Sequence, residues 1–473
     1  MKHTKKLASL LLALVMVFAL ATTTFAAEDT TISAPDGSTR TYDVYQIFTG
    51  DLHEGVLSNI KWGKNGTGTE GTAVDQTTLD ALAAVNGKSD TEKLTEIQKY
   101  VKLDSEKFGT VSNGNSLTVP TGYYLIKDTG PVNDGEAYSL YVVQVVGPTT
   151  ISPKVGTTTS DKKVKDTNDS AANSTTDWQD SADYDIGDAV PFKLSATIAQ
   201  DYTSYTHGYK LTFHDKEGAG LTFNASSVKV YVDGEEITSG FTVVTEGLTG
   251  GCTFEVRFAN LKDIASVEAG SIISVEYTST LNDQAVIGST GNKNTSHVTY
   301  TNNPNDKQAG ENGETPDDVV IVFTYKTIVN KVTKNPNYDP KVEGSEEYIP
   351  LKGAGFTLYK KNASGIYEAV GSELKGEDMT TFTWSGLDDG DYKLVETTTP
   401  SGYNTIADIE FTISAGHVDG DIPYLNTLSG NVTSGTATFT AVVNDGSLST
   451  DVVNNSGAQL PSTGGIGTTI FYV

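Results

Sequence analysis

The sequence contains one cysteine among its 473 residues, Cys252. A single thiol excludes an intramolecular disulfide, although exported proteins often depend on disulfides for their stability. We interpret Cys252 as a small buried apolar residue rather than a nucleophile. If the protein works outside the cytoplasm under mechanical load, another kind of cross-link has to replace disulfides.

Basic residues are also scarce, since 33 Lys and Arg oppose 60 Asp and Glu, which gives a net charge of −27. Nucleic acid binding needs a basic surface, so nucleic acid is excluded as a partner. The chain has only six histidines and neither a Gly-x-Ser-x-Gly nor a His-Glu-x-x-His pattern, which argues against a hydrolase. We therefore predict an acidic soluble surface and a protein that is not an enzyme.

One long apolar run stands near the N-terminus, from Leu7 to Leu20, and follows three lysines. Small residues continue after it as far as Ala27. This order of charge, apolar run and small residues is typical of a secretory signal peptide. We predict that residues 1–27 are removed near Ala26 or Ala27 and that the mature protein is exported.

The mature chain consists mostly of short runs in which apolar and polar residues alternate, as from Ser227 to Gly234 and from Ile272 to Thr278. Alternation with period two, bounded by Gly, Asn, Asp and Pro, predicts half-buried antiparallel strands. Apolar residues recur at helical spacing only between Asp75 and Val101. The pattern predicts a mainly β protein of immunoglobulin-like β-sandwich domains, with a short helical insertion in the first domain.

Two changes in composition divide the chain, a Gly and Thr-rich stretch from Gly156 to Ser160 and a polar, turn-rich stretch from Asn302 to Asp317. The length also favours about three domains. We predict domains at residues 28–155, 156–317 and 318–457, followed by a polar tail at 458–473.

The tail contains Leu460, Pro461, Ser462, Thr463 and Gly464 in succession. This pentapeptide resembles the LPxTG sorting motif of Gram-positive surface proteins. The resemblance implies that a sortase cleaves between Thr463 and Gly464 and transfers the threonine carbonyl to an amine. The residues after 464 are too few to span about 30 Å of hydrocarbon, so we expect the chain to be cut short before the apolar helix and basic tail of a sorting signal.

A sortase that polymerises subunits also needs an exposed lysine as the acceptor. Pilins that resemble this chain carry that lysine in a Val-Tyr-Pro-Lys segment at the end of the first domain. Here Pro153 and Lys154 end the predicted first domain, with Ser152 where the tyrosine is expected. Lys154 is therefore the candidate nucleophile, and the rigid proline before it is suited to presenting the side chain at a domain edge.

The third domain carries Lys331 on its first strand, Glu396 within a Tyr-x-Leu-x-Glu motif that begins at Tyr392, and Asn454 on its last strand. This trio resembles the Cna-B-type domains of SpaA-like major pilins. The resemblance implies an isopeptide bond between Lys331 and Asn454, assisted by Glu396. An apolar core lowers the pKa of a buried lysine and raises that of a buried carboxyl group, so a neutral amine attacks the carboxamide without a cofactor.

The middle domain resembles the middle domains of the same pilins, in which a lysine, an aspartate and an asparagine make the equivalent bond. We assign these roles to Lys162, Asp215 and Asn294. The register leaves alternatives open, and these are Lys163 for the lysine and Asn292 or Asn303 for the asparagine.

The first domain places Lys127 where the third domain has its acid. A cation cannot assist in the same way, so we predict no isopeptide bond in residues 28–155. The neighbouring Asp128 is an alternative acid, but its side chain should point to the opposite face of the strand. The acidic cluster from Asp388 to Asp391 offers oxygen ligands for calcium, but we interpret Asp388 to Gly390 as a solvated turn.

These features together predict the shaft subunit of a cell-surface pilus, joined from Thr463 of one subunit to Lys154 of the next, that supports adhesion. The implied partners are a pilin-type sortase, identical subunits in a linear polymer, tip and base pilins, and cell-wall peptidoglycan. The alternative is a monomeric adhesin anchored to the wall through its LPxTG motif. Such an adhesin does not need Lys154, whereas a shaft subunit does.

Overall fold

The computed structural model describes residues 29–457, except for 36–37, 39, 54–55, 86, 89, 131–137, 152–155, 249 and 311. Strands dominate this part of the chain, and two short α-helices lie together in its first third. The predicted mainly β fold with a helical insertion in the first domain is therefore confirmed. The predicted signal peptide, Lys154 and the LPxTG-like tail lie outside the described residues.

The first domain packs two sheets against each other. Its elements are β1 Asp29–Ser33, β2 Thr41–His53, β3 Val56–Trp62, α1 Gln76–Ala84, α2 Asp90–Gln98, β4 Gly109–Ser112, β5 Ser116–Pro120, β6 Gly122–Asp128, β7 Leu140–Val145 and β8 Thr149–Thr150. One sheet has the order β5-β1-β8, and the other has the order β3-β2-β6-β7 with β4 paired to β2. Ile32 and Val44, from the two sheets, share a core, while Leu82, Leu94 and Ile97 of the helices cover the opposite face.

The helical insertion begins as its sequence predicts. The Asp75 carboxylate accepts a hydrogen bond from the backbone N–H of Thr78 at 2.9 Å and so caps α1. The apolar residues at helical spacing, among them Leu82 and Ile97, are buried. The helices are therefore held by this apolar stripe on the β2–β6 sheet.

The middle domain is a larger two-sheet sandwich. Its strands are β9 Thr159–Val164, β10 Ser181–Asp183, β11 Ala189–Thr197, β12 Leu211–Glu217, β13 Leu221–Phe223, β14 Lys229–Val232, β15 Glu235–Ile237, β16 Thr242–Val244, β17 Phe254–Phe258, β18 Ile272–Leu281, β19 Asn292–Thr301, β20 Asn312–Glu314 and β21 Asp318–Phe323, and its 3-10 turns are Tyr202–Ser204, Ala225–Ser227 and Leu261–Asp263. One sheet has the order β10-β21-β19-β12-β17-β16, and the other has the order β15-β14-β18-β11-β9.

β21 connects the middle domain to the C-terminal domain. It pairs with β19 and β10 of the middle sheet, so the boundary predicted after residue 317 separates this strand from the sheet that it completes. Val320 and Val322 pack in the core of the middle domain, whereas Ile321 and Phe323 pack in the C-terminal core. The strand is apolar on both faces because it contributes to two cores.

The C-terminal domain has strands β22 Tyr325–Lys334, β23 Tyr348–Pro350, β24 Gly355–Lys361, β25 Tyr367–Ala369, β26 Leu374–Lys375, β27 Thr381–Leu387, β28 Gly390–Thr398, β29 Ile409–Val418, β30 Tyr424–Ser434, β31 Thr440–Val442 and β32 Ser447–Asn454. The two sheets have the orders β23-β22-β32-β31 and β25-β24-β28-β29-β30. β22 and β32 are parallel neighbours, so the first and last strands of this domain lie side by side.

Candidate cross-linking sites

In the C-terminal domain the structure brings the three predicted residues together in the core. Thr333 lies opposite Asn454 across β22 and β32, which places Lys331 one inward position away. Glu396 reaches them from β28 of the facing sheet. The side chains of Lys331 and Glu396 and the whole of Asn454 are fully buried. Two sheets thus bring one amine, one carboxamide and one carboxyl group together at a site closed to solvent.

The contacts in this cluster fit amide exchange. The Lys331 Nζ donates to Asn454 Oδ1, the oxygen bonded to the carbon that an amine would attack. Asn454 Nδ2, the group that would leave, donates to Glu396 Oε1 at 2.9 Å. Lys331 Nζ also lies 3.1 Å from the same carboxylate oxygen. The acid therefore contacts both nitrogens between which a proton has to move.

The environment of Lys331 favours its neutral, nucleophilic form. Burial lowers the pKa of Lys331, and Glu396 opposes that shift only in part. The Phe356 ring centroid lies 5.3 Å from Nζ, so the ammonium would have few polar neighbours besides the other two members of the cluster. The backbone N–H of Ile406 donates to the second oxygen of Glu396 at 3.0 Å and fixes the orientation of the carboxyl group.

The middle domain holds a second buried cluster. Lys162 on β9, Asp215 on β12 and Asn294 on β19 are all fully buried. Lys162 Nζ donates to Asp215 Oδ2. Burial lowers the pKa of Lys162 and raises that of Asp215, since both charged forms lose their hydration. These are the directions that prepare an amine and an acid for the same chemistry.

The alternatives that the sequence leaves open point elsewhere. The side chain of Lys163 is 28% exposed and pairs with Asp180 at 2.5 Å on the other face of β9. Asn292 uses Nδ2 to donate to the carbonyl of Val322 at 3.1 Å, and Asn303 Oδ1 accepts from the N–H of Asn305. The structure therefore groups Lys162 and Asn294, rather than these neighbours, around the acid.

A residue that the sequence reasoning missed occupies the centre of the middle cluster. The Tyr277 hydroxyl donates to Asp215 Oδ2 at 2.8 Å and accepts from Asn294 Nδ2 at 2.9 Å. Lys162 Nζ lies 3.2 Å from the same oxygen. The alternation in β18 predicts that Tyr277 faces inward with Ile273 and Val275, but no motif marks its hydroxyl as a partner.

In the first domain, the buried acid on β6 forms an ion pair with an arginine. Asp128 is buried and its Oδ2 lies 2.6 Å from Arg40 Nη1, while Lys127 on the opposite face is half-buried. Burial raises the pKa of Asp128, and the Arg40 guanidinium opposes that shift. An arginine stays protonated in a protein and does not act as the attacking amine. That residues 28–155 form no isopeptide bond stays a prediction.

The predicted solvated turn at Asp388 is wrong. Asp388 is fully buried and contacts Lys360 Nζ, which also lies 2.6 Å from Asp185 and 3.2 Å from Asp169 of the middle domain. The turn is buried because the middle and C-terminal domains dock there, which a local pattern does not reveal. Asp169, Asp185, Asp188 and Asp388 have the spacing of metal ligands, but Lys360 already neutralises part of their charge.

Comparison with known proteins supports the resemblance that the motifs indicate. Residues 341–426, which lie within the C-terminal domain, match the family model described as SpaA: Prealbumin-like fold domain. The chain is 28% identical over 232 residues to the trypsin-resistant surface T6 protein of Streptococcus pyogenes serotype M6. That match covers 46% of this chain and 40% of the length of the relative.

The fold has relatives among solved structures of pilins. The T6 backbone pilin of Streptococcus pyogenes serotype M6, described as a modular three-domain structure, superposes with a TM-score of 0.52 at 18% identity over 92% of this chain and 100% of that chain. The full-length major pilin SpaD of Corynebacterium diphtheriae aligns with a TM-score of 0.46 at 17% identity, over 91% of this chain and 98% of that chain. Within the described residues, the helices are too short or too polar to cross a membrane.

Proposed function

We propose that this protein is the shaft subunit of a covalent cell-surface pilus, hardened by one isopeptide bond in each of its middle and C-terminal domains. The proposal rests on two clusters in successive domains, each of which contains a lysine, an asparagine and an acidic residue with fully buried side chains. Burying a lysine beside a single acid costs folding free energy. In both clusters an asparagine completes the set of groups that an isopeptide bond requires. The similarity of the third domain to SpaA-type domains supports the same function.

The proposed bond forms without an external catalyst. The lone pair of neutral Lys331 Nζ forms a bond to the side-chain carbon of Asn454, and the bond from that carbon to Nδ2 breaks. Glu396 passes a proton to the departing nitrogen and takes the proton that the new amide nitrogen loses. One ammonia leaves for each bond. Holding the groups in contact supplies the effective concentration that the exchange of an unactivated amide lacks in water.

Assembly into a polymer rests on the two sequence motifs. A pilin-type sortase would cleave after Thr463 and transfer its carbonyl to Lys154 of the next identical subunit. Tip and base pilins and the cell-wall peptidoglycan would be the terminal partners, and the assembled shaft would support adhesion. The subunit itself is then a sortase substrate and a structural protein whose only chemistry is directed at its own core.

The test is an immunoblot of wall extracts boiled in SDS from cells that make the wild-type chain, Lys154→Ala or Lys334→Ala. Lys334 is an exposed lysine at the end of β22 and serves as the matched control. We expect a high-molecular-weight ladder in wild type and Lys334→Ala, and a monomer in Lys154→Ala. A ladder that persists in Lys154→Ala would move the linkage to another lysine. A single band in all three would favour the monomeric wall-anchored adhesin.

A further inference from the structure

The two buried clusters differ in how the acid reaches the asparagine. In the C-terminal domain, Glu396 accepts a hydrogen bond directly from Asn454 Nδ2. The acid of the middle domain is Asp215, which is shorter by one methylene group. Asp215 Oδ1 and Asn294 Oδ1 are both buried without a hydrogen-bond partner among the described residues. The shorter acid therefore needs another group to connect it to the amide.

Tyr277 is placed to make that connection. Its hydroxyl donates to Asp215 Oδ2 at 2.8 Å, accepts from Asn294 Nδ2 at 2.9 Å and lies 3.2 Å from Lys162 Nζ. One oxygen atom thus contacts the nucleophile, the acid and the leaving group.

The ring of Tyr277 is held by its aromatic surroundings. It stacks on Phe192 with 5.4 Å between ring centroids and meets Phe254 edge to face at 4.8 Å. The residue is 2% exposed. Because the packing fixes the ring, the hydroxyl is presented to the cluster in one orientation.

We propose that Tyr277 is a catalytic residue of the middle-domain cross-link and relays a proton from Asp215 to the departing ammonia. The inference rests on the proposed isopeptide bond between Lys162 and Asn294. In the C-terminal domain, Glu396 alone would transfer the proton to the leaving nitrogen. In the middle domain, Asp215 and Tyr277 would share that proton transfer.

The proton relay balances. The lone pair of neutral Lys162 Nζ forms a bond to the side-chain carbon of Asn294, and the carbonyl π electrons move to Oδ1. When the carbonyl reforms, the bond to Nδ2 breaks and its electron pair leaves with that nitrogen. Because Nδ2 then carries a free lone pair, the Tyr277 hydroxyl rotates from Asp215 towards Nδ2 and gives it a proton, and the Tyr277 oxygen takes the proton of Asp215. Asp215 then accepts the proton lost by the new amide nitrogen, so one ammonia leaves and both side chains return to their starting forms.

A second acid, which is half-buried, lies near this site but does not make the required contacts. Glu217 faces the cluster from β12, and its Oε1 accepts from the Ser279 hydroxyl. Its Oε2 is buried without a hydrogen-bond partner among the described residues. Tyr277, and not Glu217, hydrogen-bonds the nitrogen that leaves.

The test compares the full chain with Tyr277→Phe, which keeps the stacked ring and removes only the hydroxyl. Intact mass counts the ammonia molecules lost, and a protease digest identifies the peptide that joins Lys162 to Asn294. We expect wild type to be fully cross-linked at purification and Tyr277→Phe to form the middle bond about 100-fold more slowly, the scale of general acid–base catalysis. The C-terminal bond of the same molecule is the internal reference and should form completely.

Tyr300→Phe is the matched control, because Tyr300 is also fully buried in the middle domain and its hydroxyl has no hydrogen-bond partner among the described residues. This variant should form both bonds like wild type. If Tyr277→Phe forms the middle bond as completely as wild type, the cross-link stands and the role of Tyr277 is overturned. If wild type itself lacks the Lys162–Asn294 peptide, the proposed middle cross-link fails and the inference fails with it.

A double variant separates lost chemistry from lost packing. Asp215→Glu combined with Tyr277→Phe supplies a longer acid that reaches the amide as Glu396 does. Recovery of the middle bond would show that phenylalanine is tolerated and that the missing hydroxyl caused the defect. Failure to recover would assign the defect to packing and overturn the inference.

Discussion

Replacing Lys331 by methionine removes the proposed C-terminal cross-link while disturbing the core little. Methionine keeps an unbranched apolar stem beside Phe356, and it removes the nitrogen that contacts Asn454 and Glu396. Asn454 Nδ2 can still donate to Glu396. The change therefore isolates the covalent bond better than the loss of Asn454, which would leave a buried lysine beside one acid.

The magnitude follows from the length of chain that the bond closes. Lys331 and Asn454 are 123 positions apart. By analogy with a disulfide that closes a loop of this length, the bond restricts the unfolded state by about 5 kcal/mol. For a domain of this size, that corresponds to a melting temperature lower by roughly 15 °C in Lys331→Met.

Differential scanning calorimetry of the full chain, with the middle domain as internal reference, measures this shift. Lys326→Met is the matched control, since Lys326 lies on the same strand but is only half-buried. Mass spectrometry should show that Lys331→Met has lost one ammonia fewer than wild type. An unchanged C-terminal transition in a variant that has lost the bond would refute the argument that the cross-link stabilises this domain.

Three further predictions concern buried charges. Burial raises the pKa of Asp201 to about 7. The ionised side chain is therefore less favourable in the folded protein than in the unfolded chain, and this cost to stability is absent below pH 4 and complete above pH 7. Asp201→Asn should therefore melt like wild type near pH 4 and be more stable at pH 8, by on the order of 4 kcal/mol; an equal difference at both values would contradict this sign. Lys360→Met leaves Asp388 buried without its cation where the middle and C-terminal domains dock. Limited proteolysis should therefore cleave between these domains faster than in wild type. Equal cleavage rates would mean that Lys360 does not hold the two domains together. Arg40→Met likewise leaves Asp128 buried without its cation and should lower the free energy of unfolding of the first domain by about 3 kcal/mol, measured by denaturant unfolding. A loss below about 1 kcal/mol would mean that the ion pair contributes little.

The sequence predicts most of the fold because local patterns decide it. Alternating strands such as β18 bury Ile273 and Val275 as their period requires, and Asp75 begins the helical insertion. The motifs around Lys331, Glu396 and Asn454 resemble those of Cna-B-type domains, and that resemblance implies the cluster that the three residues form. These signals are local or follow from the pairing of a first strand with a last strand.

Features that depend on docking and register are not predictable in the same way. Lys162 and Lys163 are adjacent, and only the phase of β9 decides which of them faces the core. Asp388 is buried because another domain covers its turn. The contacts of Tyr277 depend on side chains from β9, β12 and β19, which are far apart in sequence. In each case the decisive neighbour is brought in by the tertiary structure.

The positions of the proposed bonds relative to the proposed polymer linkages explain why the first domain can lack one. In a polymer linked as proposed, tension would enter at Lys154 and leave at Thr463, and it would pass through the middle and C-terminal domains but not through the first domain. The bonds from Lys162 to Asn294 and from Lys331 to Asn454 would carry the force directly between the joined residues, so most of each sandwich would not be stretched. Residues 295–330, which lie between the two bonds, would then be the longest segment that the force can extend. That stretch includes β21, which is paired on both edges and apolar on both faces, so it resists being drawn out. Single-molecule pulling between Lys154 and the tail should therefore show this stretch lengthening by at most about 120 Å, and a longer extension of the cross-linked chain would mean that the bonds do not lie on the load path.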